Sequence, residues 1–206
     1  MPCGIKIWSD LHGDMQQSVE RYKGILMEKF ISNSGQEFVI FEKLTGKKCL
    51  IKFTETGSVR EVYTDNARAG KVKDLYALTV YGVGCLGEYN RFPYWKQSIQ
   101  LWRNMMKRCY SEKDKRGYKF KKGTQVEARW LCFANFLEDI HLLPNFDKWL
   151  AGGSCSKTRY NLDKDLIDPS LNIYSRYTCS FTTEHDNKRA GAINARLTDP
   201  RYTHLR

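Results

Sequence analysis

The segment NLDKDLIDPSLNIYSRYTCSFTTEHDN, residues 161–187, gathers side chains that can work on phosphates. Asp163 and Asp165 flank Lys164, Asn172 follows in a turn-forming run, and Thr183, His185 and Asn187 close the segment. Carboxylate and amide oxygens are ligands for hard divalent cations such as Mg2+. An imidazole is a general base near neutral pH, and a lysine ammonium is a phosphate contact. Three outcomes are open. The segment cuts nucleic acid with a divalent ion, or it holds nucleic acid without cutting. Alternatively it does neither, with LDKDL an exposed strand, DPSLN a turn and Asn187 an ordinary helix-cap residue.

The surrounding residues suggest the elements that position these groups. NLDKDL reads as a strand or its end, and a turn rich in Asp, Pro, Ser and Asn follows. YTCSF reads as a second short strand, and TTEHDNKRAGAINA as a helix with Thr182 or Thr183 as its cap. This order of strand, loop, strand and helix resembles the ββα-metal module of HNH endonucleases, especially the intron-encoded and phage type. Upstream, YWKQSIQLWRNMMKRCY and VEARWLCFANFLEDI are similar to segments of phage-encoded proteins with such modules. The chain from about residue 81 to 190 thus resembles a phage HNH-related family.

The resemblance implies roles residue by residue. Asp163 matches the acid that helps bind the metal, and Asn187 the last metal ligand. Asn172 matches the asparagine that braces the loop, and Thr183 the threonine at the strand-to-helix junction. Lys164 stands where the general-base histidine belongs. A lysine side chain, with a pKa of about 10.4 in model peptides, holds its proton at neutral pH and is no base there. His185, the one histidine of the module, is the candidate for a displaced base. The expected function is therefore nucleic-acid binding by a phage-type accessory protein with a degenerate HNH-like module. The enzymatic alternative is a metal-dependent, homing-type endonuclease using Mg2+ or another divalent ion. A third reading is a basic protein that binds an acidic host protein. The resemblance favours DNA over RNA.

The charge balance agrees with a polyanionic partner: 34 Lys and Arg stand against 23 Asp and Glu, a formal net charge of +11. Within residues 96–129, 11 Lys or Arg face 3 acids, and Tyr110, Tyr118 and Phe120 interleave with the cations. Aromatics among cations suit stacking on bases and contact with phosphates. The expected phosphate contacts are Lys96, Arg103, Lys107, Arg108, Lys115, Arg116, Lys119, Lys121 and Lys122. After Asn187 the tail carries five Lys or Arg and one acid, as an arm on a partner's backbone or a frayed end.

Two other motifs lead elsewhere. WSDLHGD, residues 8–14, resembles the first metal block of calcineurin-like metallophosphatases, with Asp10 and His12 as ligands. The later blocks of that family are missing, and a helix N-cap is the simpler reading. Gly82, Gly84 and Gly87 have dinucleotide-fingerprint spacing, but EYNRFPYW follows and Pro93 interrupts an early helix. A flexible junction between two halves is expected there instead. The seven cysteines form no CxxC pair, which argues for buried reduced thiols over a zinc site.

The expected fold class is α+β, with residues 1–35 an N-terminal helical segment, 36–80 a small antiparallel β meander, and 81–206 a helical domain ending in a ββα unit at about 160–190. Residues 15–31 have helical spacing at Val19, Tyr22, Leu26 and Phe30, and SNSGQ reads as a boundary. FVIFEKL, KCLIKF and REVYTD read as strands parted by the turns TGK and TETGS. Trp95, Ile99, Trp102, Met105, Met106 and Cys109 share one helix face; Lys96, Arg103 and Lys107 share another. TQVEARW reads as a short strand. LCFANFLEDIHLL reads as a second helix with Phe133, Phe136, Leu137 and Ile140 inward, stopped by Pro144. No apolar run is long enough to span a membrane, so no membrane partner is expected. The opening residues lack a signal peptide's apolar stretch, so a cytoplasmic location is expected, in the host cell if the chain is phage-encoded.

Overall fold

Among the described residues short strands parted by glycine turns come first and helices follow, so the protein is α+β. The computed structural model describes residues 28–111, 123–153, 155, 157–165, 167 and 171–198. Two units divide the chain, residues 1–78 and 79–206.

The first unit is an antiparallel sheet of β1 (Lys29–Ile31), β2 (Glu37–Lys43), β3 (Lys48–Phe53) and β4 (Val59–Tyr63), in that order. The register pairs Phe30 with Phe38, Phe38 with Phe53 and Cys49 with Val62, which gathers the apolar side chains on one face. Ala67 of helix α1 (Thr64–Arg68) and Val72 close that face into a core with Phe38, Cys49, Ile51 and Phe53. Gly35, Gly46 and Gly57 hold the positive φ that the three hairpin turns need.

Two expectations are corrected here. Lys29–Ile31, the end of the stretch with helical spacing, is a strand, because Phe30 stacks on Phe38 across the sheet with ring centroids 5.6 Å apart. SNSGQ is the β1–β2 turn rather than a boundary, closed by Ser32 N–H to the Gln36 carbonyl at 2.9 Å. The rest of the N-terminal helical segment lies outside the described residues, as do Asp10 and His12.

In the second unit Pro93 precedes α2 (Trp95–Tyr110). Trp102, Met105, Met106 and Cys109 are buried, as their spacing requires, and Trp95 and Ile99 are half-buried. Each buried methionine contributes about 1.5–3 kcal/mol. The Trp102 indole N–H reaches the Trp130 carbonyl at 2.7 Å. TQVEARW forms a strand only at β5 (Gln125–Val126); residues Ala128–Leu131 turn as a 3-10 helix. In α3 (Phe133–Ile140) all four predicted inward residues are buried, and α4 (Phe146–Ala151) follows Pro144.

The glycine-rich run is packed, contrary to the flexible junction its composition suggests. A Cβ at Gly84 would lie 2.8 Å from Met106 Cε, and one at Gly87 2.7 Å from Cys132 Sγ. Cys85 N–H bonds the Leu131 carbonyl at 3.0 Å, and Phe133 N–H bonds the Cys85 carbonyl at 2.9 Å. The glycines are there for close approach of backbone to core.

The chain then runs through β6 (Tyr160–Asp163), β7 (Ile173–Tyr174), β8 (Ser180–Thr183) and α5 (Glu184–Thr198). β6 and β8 pair antiparallel, and β7 pairs parallel with β5. Among the described residues no helix is long and apolar enough to cross a membrane.

Candidate functional site

The β6–β8 hairpin and α5 bring the chemistry-bearing residues together. Leu162 and Phe181 face each other across the pair and are both buried. Phe181 stacks on Trp149, with centroids 4.9 Å apart. Its N–H bonds the Pro144 carbonyl at 3.0 Å, and its own carbonyl accepts from Asn145 Nδ2 at 3.0 Å. With Leu162 fixed inward, strand alternation sends Asp163 to the other face, opposite Ser180.

There Asp163 is 5% exposed and meets α5. Asn187 Nδ2 donates to Asp163 Oδ1 at 3.2 Å, across 24 residues of chain. Asp163 Oδ2 accepts the Asp165 N–H at 3.1 Å, which turns the chain as the strand ends. Thr183 sets where the helix begins. Its hydroxyl donates to Asp186 Oδ2 at 2.7 Å and accepts the Asp186 N–H at 3.0 Å, an N-cap arrangement. The Thr183 hydroxyl first, then His185, holds the Asp186 carboxyl below its usual range.

Lys164 is 3% exposed, and its ammonium donates to the Asp165 carboxylate and, at 3.4 Å, to the Leu171 carbonyl. It therefore clips together the two ends of the loop after β6. Asn172 ties the same loop to the strand beside it: its Oδ1 accepts from the Thr124 hydroxyl at 3.1 Å and its carbonyl from the Gln125 N–H at 2.9 Å. Asp165 and the Leu171 carbonyl were not legible as partners of Lys164; only the adjacency of a lysine and an acid hinted at the first.

His185 is exposed and its Nδ1 lies 3.3 Å from Asp186 Oδ1. Two residues along a helix are about 200° around its axis, so His185 leaves α5 on the side away from Asn187. The structure joins Asp163 to Asn187 and does not bring His185 to them.

A carboxylate and an amide are two hard oxygen donors. A Mg2+ ion binds through one or two carboxylates and keeps several waters, leaving places for substrate phosphate. The pair fits such an ion if the Asn187 amide turns its oxygen inward. Among the described residues no three His, Cys, Asp or Glu side chains form a metal-ligand cluster.

The predicted cations divide. Lys96, Arg103, Lys107 and Arg108 are exposed on α2, away from its buried stripe. Lys115, Arg116, Lys119, Lys121 and Lys122 lie outside the described residues. The Arg129 guanidinium is bound to Asp139 at 2.9 Å and to Glu138 at 2.7 Å.

Compared with protein-family models, curated proteins and solved structures, the chain matches none.

Proposed function

We propose that the protein binds nucleic acid through the phosphate backbone, with the outer face of α2 as a principal surface. In this reading the ββα unit grips a strand and cuts it weakly or not at all. The charge placement on α2 carries the proposal. Its 16 residues hold four exposed cations and no acid. Lys96 stands at the positive end of the helix dipole, where a cation is unfavourable. Arg103 and Lys107 are a like-charged i,i+4 pair, costing about 0.2–0.5 kcal/mol in an isolated helix. Lys107 and Arg108 suit the last turn, but the helix dipole favours neither Lys96 nor Arg103, and Lys96 lies over the Trp95 ring with its ammonium 5.8 Å from the centroid. A face that disfavours its own helix is complementary to an external polyanion, and the net charge of +11 agrees. The resemblance to phage HNH-related proteins favours DNA over RNA.

The Asp163–Asn187 pair favours a second reading, a metal-dependent endonuclease. Against efficient cleavage stands Lys164, buried and clipped to its loop where a base is needed. Supercoiled plasmid incubated with and without Mg2+ or Mn2+ tests the choice, run beside a salt-dependent mobility shift. Binding without nicking supports the first reading. Metal-dependent nicking that is lost in both Asp163→Ala and Asn187→Ala supports the second. Absence of binding to duplex and single strand overturns both and points to an acidic protein partner.

A further inference from the structure

The first unit has a cationic groove of its own, in a part of the chain to which the sequence assigns no role. It measures about 560 Å³ and is lined by Asn33, Ser34, Arg60, Asn66, Lys71 and Lys73 over a floor of Val62 and Val72. No acid lines it. The nearest carboxylates in sequence are Glu61, paired with Lys48 at 2.6 Å, Asp65, exposed on α1, and Asp74, which is buried. Asp74 is consumed inside the unit, accepting from the hydroxyls of Thr56 and Ser58 and from the Tyr76 N–H.

The groove is built rather than incidental. Val72 is buried in the sheet core, and the alternation of an extended chain then turns Lys71 and Lys73 outward together. Both ends of this segment are tied to the β1–β2 turn. Asn33 N–H bonds the Gly70 carbonyl at 2.8 Å, and Asp74 N–H bonds Gln36 Oε1 at 3.0 Å. Arg60, on the edge strand β4, donates one guanidinium N–H to the Lys73 carbonyl. A guanidinium has five N–H donors, so others remain for a ligand. Gly70 makes the close stitch possible: it has φ +68°, and a Cβ there would lie 2.8 Å from Asn33 Oδ1. Three cations are thus held along one groove, among amide and hydroxyl groups that also bond phosphate oxygens.

We infer that the Arg60–Lys71–Lys73 groove is a second phosphate-backbone site, through which the first unit holds a nucleic-acid strand. The inference rests on the proposed function but assigns that unit a part in it. Linking two sites on one chain raises overall affinity through effective concentration, without new contacts at either.

The test uses the full chain and a fluorescent single strand and its duplex, titrated from about 50 to 200 mM salt. One variant carries Arg60→Gln, Lys71→Gln and Lys73→Gln; a second carries only Lys71→Gln and Lys73→Gln, leaving the Arg60 contact to the backbone in place. A third carries glutamine at Lys96, Arg103, Lys107 and Arg108. Losing three phosphate contacts lowers the slope of log Kobs against log salt by about 2–3, and losing two by about 1.5–2. Those losses, in variants with wild-type circular dichroism, are the expected result. Wild-type slopes in both groove variants, with a lowered slope in the α2 variant, overturn the groove and leave the α2 reading standing. No wild-type binding overturns both. Adenosine monophosphate as a competitor separates a strand site from a nucleotide pocket: displacement of the strand at equal phosphate concentration, lost in the groove variants, would overturn the strand assignment.

Discussion

The side-chain amide of Asn187 on α5 donates to the carboxylate of Asp163 at the end of β6, at 3.2 Å. Removing the amide leaves a mostly buried carboxylate oxygen short of a donor. Asn187→Ala is expected to cost about 1 kcal/mol of stability. Asn187→Asp is expected to cost more, since it sets two carboxylates against each other. Urea unfolding of both variants checks the order, and equal midpoints would contradict the contact.

Lys164 and Asp165 are an asymmetric pair, with side chains 3% and 43% exposed. Loss of the carboxylate leaves a buried ammonium without its carboxylate and with the Leu171 carbonyl at 3.4 Å, whereas loss of the ammonium leaves a carboxylate that water already reaches. Asp165→Asn is therefore expected to destabilise by about 2–3 kcal/mol, and Lys164→Met by clearly less. Thermal unfolding of the two variants decides; the reverse order would contradict Lys164 as the clip of its loop.

Thr183→Ala removes the cap of α5 and is expected to cost about 1 kcal/mol near neutral pH. The hydroxyl bond to Asp186 also gives this cost a pH dependence. Asp186 has a lowered folded-state pKa, owing first to Thr183 and then to His185. Its share of stability is complete above the unfolded carboxylate value of about 3.9 and fades as pH falls through the lower folded value. The melting difference between wild type and Thr183→Ala should hold steady from about pH 5 to 7 and narrow below the ordinary carboxylate range. A difference that widens in acid would contradict this.

Cys155 is the exposed thiol among the described cysteines; Cys49, Cys85, Cys109, Cys132 and Cys179 are buried. The Thr158 hydroxyl, followed by backbone N–H groups, lowers its pKa. Of these six, Cys155 is expected to react first with iodoacetamide, with a pH midpoint below that of a free thiol. Peptide mapping after brief labelling reads this directly, and earlier modification of Cys132 or Cys85 would contradict the packing of the glycine-rich run.

Local pattern was a good guide where one helix face meets one core. The stripe from Trp102 to Cys109 and the inward set from Phe133 to Ile140 are buried as their spacing demands. It misled where a distant partner decides. Phe30 fits a helical period, but Phe38 draws it into a sheet. Gly84 and Gly87 have the composition of a loose linker, but Met106 and Cys132 pack against them. At the site, β6, β8 and the helix after them were legible, whereas β7 lay within what reads as a loop, and the meeting of Asp163 with Asn187 followed only from the roles that the resemblance implies. The role of Lys164 was not legible, because one of its acceptors is the Leu171 backbone carbonyl, which no side-chain pattern encodes. The groove was not legible either: NARAGKVKD shows its three basic residues, but nothing local joins Lys71 and Lys73 to Arg60. The alternation Lys71–Val72–Lys73 spans three residues, too few to read as a strand.

The decisive measurement is the salt dependence of nucleic-acid binding by the full chain, wild type against Lys96, Arg103, Lys107 and Arg108 all changed to glutamine. If the outer face of α2 meets the phosphate backbone, wild type binds and the variant's log–log salt slope is smaller by about 3–4. An unchanged slope and affinity would show that this face does not touch the nucleic acid, and the proposed function would fall with it.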